Sequence, residues 1–196
     1  LSRFTSESQA LAHSLKASYY KIMVFLFFVV MMIIIAGTLM YVIEGEKHGF
    51  NSIPESAKIW VFPASRKFYA QELPEITAKI EQFLTDWENE NLPVSAAYVI
   101  KYDRFIIVTA DDTEQSLSLE AQDQLASFIQ SLESSYELIL MDRINVCYKQ
   151  GEFVQYKTLP EFKKMIKDKG VSQNTMVFNS MINLKEELEF GFEINI

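Results

Sequence analysis

The side chains able to do chemistry are few and widely spaced. One thiol, Cys147, lies in the apolar run INVCY. A cysteine acts as a nucleophile only beside a base or in an electropositive setting that favours the thiolate. The sequence sets no histidine near it, so a buried structural role is expected. Both histidines, His13 and His48, precede residue 58. The rest of the chain therefore lacks the commonest general base and metal ligand. Asp111 and Asp112 are adjacent, so on an extended chain their carboxylates point apart, and a cation would need further oxygen ligands. A solvated loop is the expectation there; no metal and no cofactor is expected. Four cations remain. Arg66 and Lys67 follow a strand-like run, and Arg104 and Arg143 close the pairs Asp103–Arg104 and Asp142–Arg143. Turn chemistry or surface ion pairs account for such pairs. The alternative is a cleft for an acidic ligand, for which Arg66, Lys67, Arg104 and Arg143 are the candidate residues. Trp60, Trp87, Tyr98 and Tyr102 are expected in packing rather than in a ligand cage.

Phosphate chemistry is excluded in its common forms. The chain holds neither GxxxxGK[ST] nor GxGxxG, whose glycine amides would cradle a nucleotide. Net charge is −8, and residues 1–57 balance to zero, so the whole excess falls after residue 57. An acidic domain of this kind is expected to bind no nucleic acid, because phosphate contacts need clustered Lys and Arg. A lone cysteine forms no internal disulfide and no cysteine-based zinc cluster. The chain begins at Leu1, so its natural start is expected to lie upstream.

The element that dominates the hydropathy pattern runs over 22–43, IMVFLFFVVMMIIIAGTLMYVI, without a formal charge. About 20 such residues cross a bilayer core of about 30 Å, and a helix of this length measures about 33 Å. A transmembrane helix is expected. Residues 1–21 read as an amphipathic juxtamembrane helix, with Leu11, Leu15 and Tyr19 at helical spacing. Arg3, Lys16 and Lys21 before the span place the N-terminus in the cytoplasm. Residues 44–57 form a polar turn and the start of a further helix, with Pro54 in its first turn.

Residues 58–196 change character. KIWVF is strand-like. Leu73, Ile76, Ile80, Phe83, Leu84 and Trp87 share one face of a helix starting near Pro74. Strands near 94–101 and 105–110 flank Asp103–Arg104 as a hairpin. Ala121, Leu125, Phe128, Ile129, Leu132 and Tyr136 make a second helix, with Ser118 as its N-cap. Strands near 138–148 and 153–157 turn at Gln150–Gly151. Thr158 and Glu161 fit a capping box for a third helix that Gly170 would end. A strand over 175–178 and a last helix from Asn179 to Leu188 follow. The order lacks a βαβα rhythm, so the expected fold is one transmembrane helix followed by an α+β domain with a mainly antiparallel sheet.

Two family resemblances accompany this pattern. LAHSLKASYYKI, the apolar span, and LMYVIEGEKHGFNSIPES resemble successive parts of a bacterial voltage-gated-type potassium channel. Those parts are the linker from voltage sensor to pore, the fifth transmembrane segment, and the turret with the first turn of the pore helix. The likeness stops at Ser56. No TVGYG-like filter follows, none of the six glycines forms a Gly-x-Gly pair, and the sixth segment is missing. Residues 58–193 resemble a family of small uncharacterised bacterial proteins that often carry the label "ABC transporter ATPase". The matching pieces are KIWVFPASRKF, IKYDRFIIVTAD, FIQSLE, LMDRINVCY and NTMVFNSMINLKEELE. That resemblance implies a fold and little chemistry, and without a phosphate loop the ATPase label is unsupported.

The combined expectation is a membrane-anchored, non-conducting fusion or fragment of a channel pore region, with a small α+β binding domain and no enzymatic activity. Its alternative is a channel-related subunit whose α+β domain modulates a partner channel. The expected partners are the lipid bilayer and homologous channel subunits, with a small-molecule ligand left open. The expected location is the bacterial inner membrane, although residues 58–196 alone would be cytosolic.

Overall fold

A computed structural model describes residues 19, 21, 23–33 and 49–196. The chain divides into two units, Leu1–Lys47 and His48–Ile196. In the first, the described residues are helical, and the side chains of Phe25, Phe27 and Phe28 are exposed.

The expectation of a transmembrane helix over 22–43 is corrected. Among the described residues, no helix is long and apolar enough to cross a membrane. The rest of the span, and most of the juxtamembrane helix expected over 1–21, lie outside the described residues. The membrane anchor, the inner-membrane location and both channel-related roles were built on that helix, and no described helix supports them.

The second unit is an α+β fold of three layers. Strand β1 (Lys58–Pro63) is followed by helix α1 (Leu73–Asp86). A short hairpin of β2 (Glu88–Asn89) and β3 (Leu92–Pro93) leads to β4 (Ala96–Lys101) and β5 (Phe105–Ala110). Helix α2 (Leu119–Tyr136), strands β6 (Val146–Gln150) and β7 (Phe153–Lys157), and helix α3 (Leu159–Lys167) come next. Strand β8 (Met176–Phe178), the single turn α4 (Glu187–Phe190) and β9 (Glu193–Asn195) complete the order.

The central sheet has the order β1-β5-β4, antiparallel throughout. Strand β5, FIIVTA, is buried at all six positions because it is paired on both edges and covered on both faces. Side chains alternate across a strand, and the core follows that alternation. Phe62, Ile106, Val108 and Ala110 face Ile76, Ile80 and Leu84 of α1 and Leu125, Ile129 and Leu132 of α2. Ile59, Val61, Phe105 and Ile107 face Cys147, Phe178, Ile182 and Phe192. The latter belong to a second antiparallel sheet, order β7-β6-β8-β9, and the loop beside it. Pro63 ends the edge strand β1, where its missing amide breaks no ladder.

Local signals explain the helices. Ser118 accepts from the Ala121 amide at 3.1 Å and caps α2. Thr158 and Glu161 form the reciprocal capping box at the start of α3.

Two expected elements are shorter than their sequence suggests. The strand expected over 138–148 begins only at Val146, because the Glu133 carboxylate takes the Leu140 and Met141 amides and leaves them nothing to give a neighbouring strand. The last helix is reduced to α4. Glu187 accepts the amides of Asn183 and Leu184 at 2.7 and 2.9 Å, and the Lys185 amide goes to the Ala57 carbonyl. Residues 49–57 also differ from expectation. They form one 3-10 turn, Phe50–Ser52, rather than the start of a longer helix, and Ile53 and Ala57 are buried against Ala97 of β4. The change of composition at 57/58 is therefore not a boundary of packing.

Candidate functional site

A cleft of about 330 Å³ opens between the β4–β5 turn and the β6–β7 hairpin. Its lining is Lys67, Tyr102, Asp103 and Arg104 on one side and residues 152–155 on the other. Backbone geometry builds both walls. Tyr102 and Asp103 have φ of 57° and 47°, and the Lys101 carbonyl accepts from the Arg104 amide at 3.1 Å. Two consecutive left-handed residues inside that bond make a type I′ turn, whose twist suits a hairpin. Across the cleft, Gly151 supplies the φ of 61° that turns β6 into β7. The 64–68 segment holds the first wall in place. Ala64 N–H donates to the Arg104 carbonyl at 2.9 Å, and Phe68 N–H donates to that of Asp103 at 2.7 Å.

Arg104 is the chemically distinctive residue. It is only 8% exposed. Nη1 donates to the carbonyls of Ala64 and Ser65 at 3.3 and 3.4 Å, long bonds that offset little of a buried charge. Among the described residues, no carboxylate lies within ion-pair distance of it. Burial pulls its pKa down, with the neighbouring Cys147 acting the other way. Arginine nonetheless stays protonated in proteins. A permanent cation thus sits in a poorly solvated place without a counter-charge.

The other three candidate cations are spoken for to different degrees. Arg66 is fully engaged. It makes two 2.9 Å bonds to the Glu72 carboxylate and one of 3.0 Å to the Tyr136 carbonyl, and it stacks on Tyr69. Its role is to tie α1 to the end of α2. Arg143 gives Nε and Nη2 to the Ser180 carbonyl at 3.1 and 2.6 Å, on the loop that precedes α4. Lys67 shares the cleft with Arg104. Its ion pair with Asp103, at 3.0 Å, is exposed on both sides and readily exchanged. Of the four, then, the fold brings only Lys67 and Arg104 together.

Cys147 packs beneath the cleft at 2% exposure. Desolvation pushes its thiol up to about 11, against the pull of Arg104. It is therefore neutral near pH 7 and a poor nucleophile. Asp111 spends one oxygen on Thr113, accepting from its amide and hydroxyl at 3.0 and 2.6 Å. Among the described residues, no group of three or more His, Cys, Asp or Glu is placed to hold a metal ion. His13 and His48 lie outside the described residues. Trp60 and Trp87 meet edge to face at 6.2 Å under α1, and Trp87 Nε1 donates to the Ala121 carbonyl at 2.9 Å, which is packing. Tyr98 gives its hydroxyl to Glu81 at 3.0 Å. Tyr102 differs from these. It lines the cleft and donates to Glu193 at 2.8 Å, linking the turn to β9.

No protein-family model, no curated protein and no solved structure matches this chain.

Proposed function

We propose that the unit His48–Ile196 is a binding module for a small, singly charged anion of the carboxylate type, received in the Arg104 cleft. One observation carries this reading: an arginine only 8% exposed lines a cleft, and no carboxylate among the described residues lies within ion-pair distance of it. An unpaired buried charge costs several kcal/mol, and an anion in the cleft would recover part of that cost through charge-assisted bonds. The remaining charges argue for a single negative charge on the ligand. Lys67 and Asp103 neutralise each other, and Glu152 at the rim repels a polyanion such as a nucleoside triphosphate. The volume suits a compact ligand, being near the lower end for small-molecule sites.

The test is an amide-shift titration of the full chain with acetate, and separately with inorganic phosphate. Acetate is expected to give saturable shifts centred on 102–105 and 152–155, at lower concentration than phosphate. Arg104→Met should weaken binding at least about tenfold, the loss expected for a charge-assisted bond of 1.5–3 kcal/mol. Arg143→Met should leave it unchanged. Equal responses of the wild type and Arg104→Met would overturn the reading.

A further inference from the structure

We propose that residues 49–57 are a latched strap: a segment that closes over the face of β4 and opens without unfolding the domain, with Lys185 as its latch. This inference is independent of the Arg104 cleft and rests on a different part of the fold.

The strap contributes no strand to either sheet and one 3-10 turn of its own. Its apolar hold is small. Ile53 and Ala57 cover Ala97 of β4, and the Phe50 ring packs beside them. Its polar hold converges on one short stretch before α4. Lys185 N–H donates to the Ala57 carbonyl at 2.9 Å, and Glu186 N–H donates to that of Glu55 at 2.9 Å. The Lys185 side chain is only 4% exposed, and its ammonium donates to the Ile53 carbonyl and to Glu55 Oε1, both at 2.7 Å. Phe50 lies 5.4 Å from the same ammonium, within reach of its ring quadrupole.

The two partners of this ion pair are placed unequally. The Lys185 side chain is enclosed, while that of Glu55 is 68% exposed. A buried ammonium is tolerated only when it is paired, and here the pairing carboxylate belongs to the strap and stands at the surface. Closing the strap neutralises Lys185, and opening it hydrates Lys185. The charge is therefore satisfied in both positions and penalised only between them, which makes the strap a two-position element. A small apolar hold and a latch whose carboxylate stands at the surface are properties of segments that open locally, below the free energy of global unfolding.

Hydrogen exchange on the full chain tests this. The amides of Lys185 and Glu186, which donate into the strap, report its opening, and the Ile107 amide in β5 reports global unfolding. In the wild type the first two should exchange faster than Ile107. Glu55→Gln should accelerate them at least about tenfold further while leaving Ile107 unchanged, since sub-global opening does not require the core to open. In the double variant Glu55→Gln with Lys185→Met, no buried charge needs a partner, and their rates should fall back toward those of the wild type. Exchange of all three amides at one rate in the wild type and in Glu55→Gln would overturn the proposal. So would a double variant as fast as Glu55→Gln alone.

Discussion

Arg104 carries charge where an apolar residue of similar length would fit, and the fold bears a cost for it. In the absence of ligand, Arg104→Met should leave the melting temperature unchanged or raise it, because replacing a poorly compensated buried charge is often stabilising by about 1–4 kcal/mol. A marked fall would show instead that the bonds to Ala64 and Ser65 are the reason for the residue. Cys147 gives a second prediction at this scale. Its thiol is pushed from an ordinary value of 9.0 up to about 11 in the fold. Between those values the folded chain keeps a proton that the unfolded chain has released, so stability declines as pH rises above about 9. The slope is about 1.4 kcal/mol per pH unit for one such group. Urea unfolding from pH 7 to 11 should show this decline, and Cys147→Ala should flatten it. Burial also raises the Tyr102 hydroxyl to about 12, which adds a further loss at the alkaline end. Sequence reasoning grouped Arg104 and Lys67 with Arg66 and Arg143 as cleft candidates and could not tell which of them share a cleft. Spacing along the chain cannot show that the Tyr136 carbonyl comes to Arg66, or the Ser180 carbonyl to Arg143, from far along the sequence.

Elements with strong local signals were legible. Branched and aromatic residues marked β1, the turn at Asp103–Arg104 marked the β4–β5 hairpin, helical periodicity marked α1 and α2, and capping residues marked the starts of α2 and α3. Elements decided by a distant side chain were not. The loop after α2 is shaped by Glu133, and the shortening of α4 follows from Glu187 and from the strap. The β2–β3 hairpin and β9 have only two and three residues, too short for any period to register. One element carries a correctable strain. Helix α2 ends on Glu137 in the left-handed region, φ 51° and ψ 48°, with its amide bonded back to the Glu133 carbonyl. That geometry is the one for which helices prefer glycine. Glu137→Gly should stabilise the fold by about 0.5–1 kcal/mol, readable as a rise of about 1–4 °C in Tm for a domain of this size.

At the scale of the whole molecule, the three layers meet on β5, and Ile107 is the side chain that fixes the central sheet to the outer one. It is fully buried between Val61 and Val99 in the register and packs toward the Phe105, Phe178 and Phe192 cluster. Ile107→Ala should cost about 3–4 kcal/mol by lost burial and an unfilled cavity, measured by urea unfolding. The same strand has a consequence before folding is complete. Phe105–Ala110 holds no charge and no proline, and its residues favour extended pairing. A stretch of that composition, presented on an unfinished chain, is a template for cross-strand association between molecules. The charges at its two ends, Arg104 on one side and Asp111 and Asp112 on the other, are the kind of gatekeepers that make such association costly. Residues that first invite a reading as ligands thus stand where they would also guard the nascent polypeptide, and the arginine proposed to serve the finished cleft is one of them.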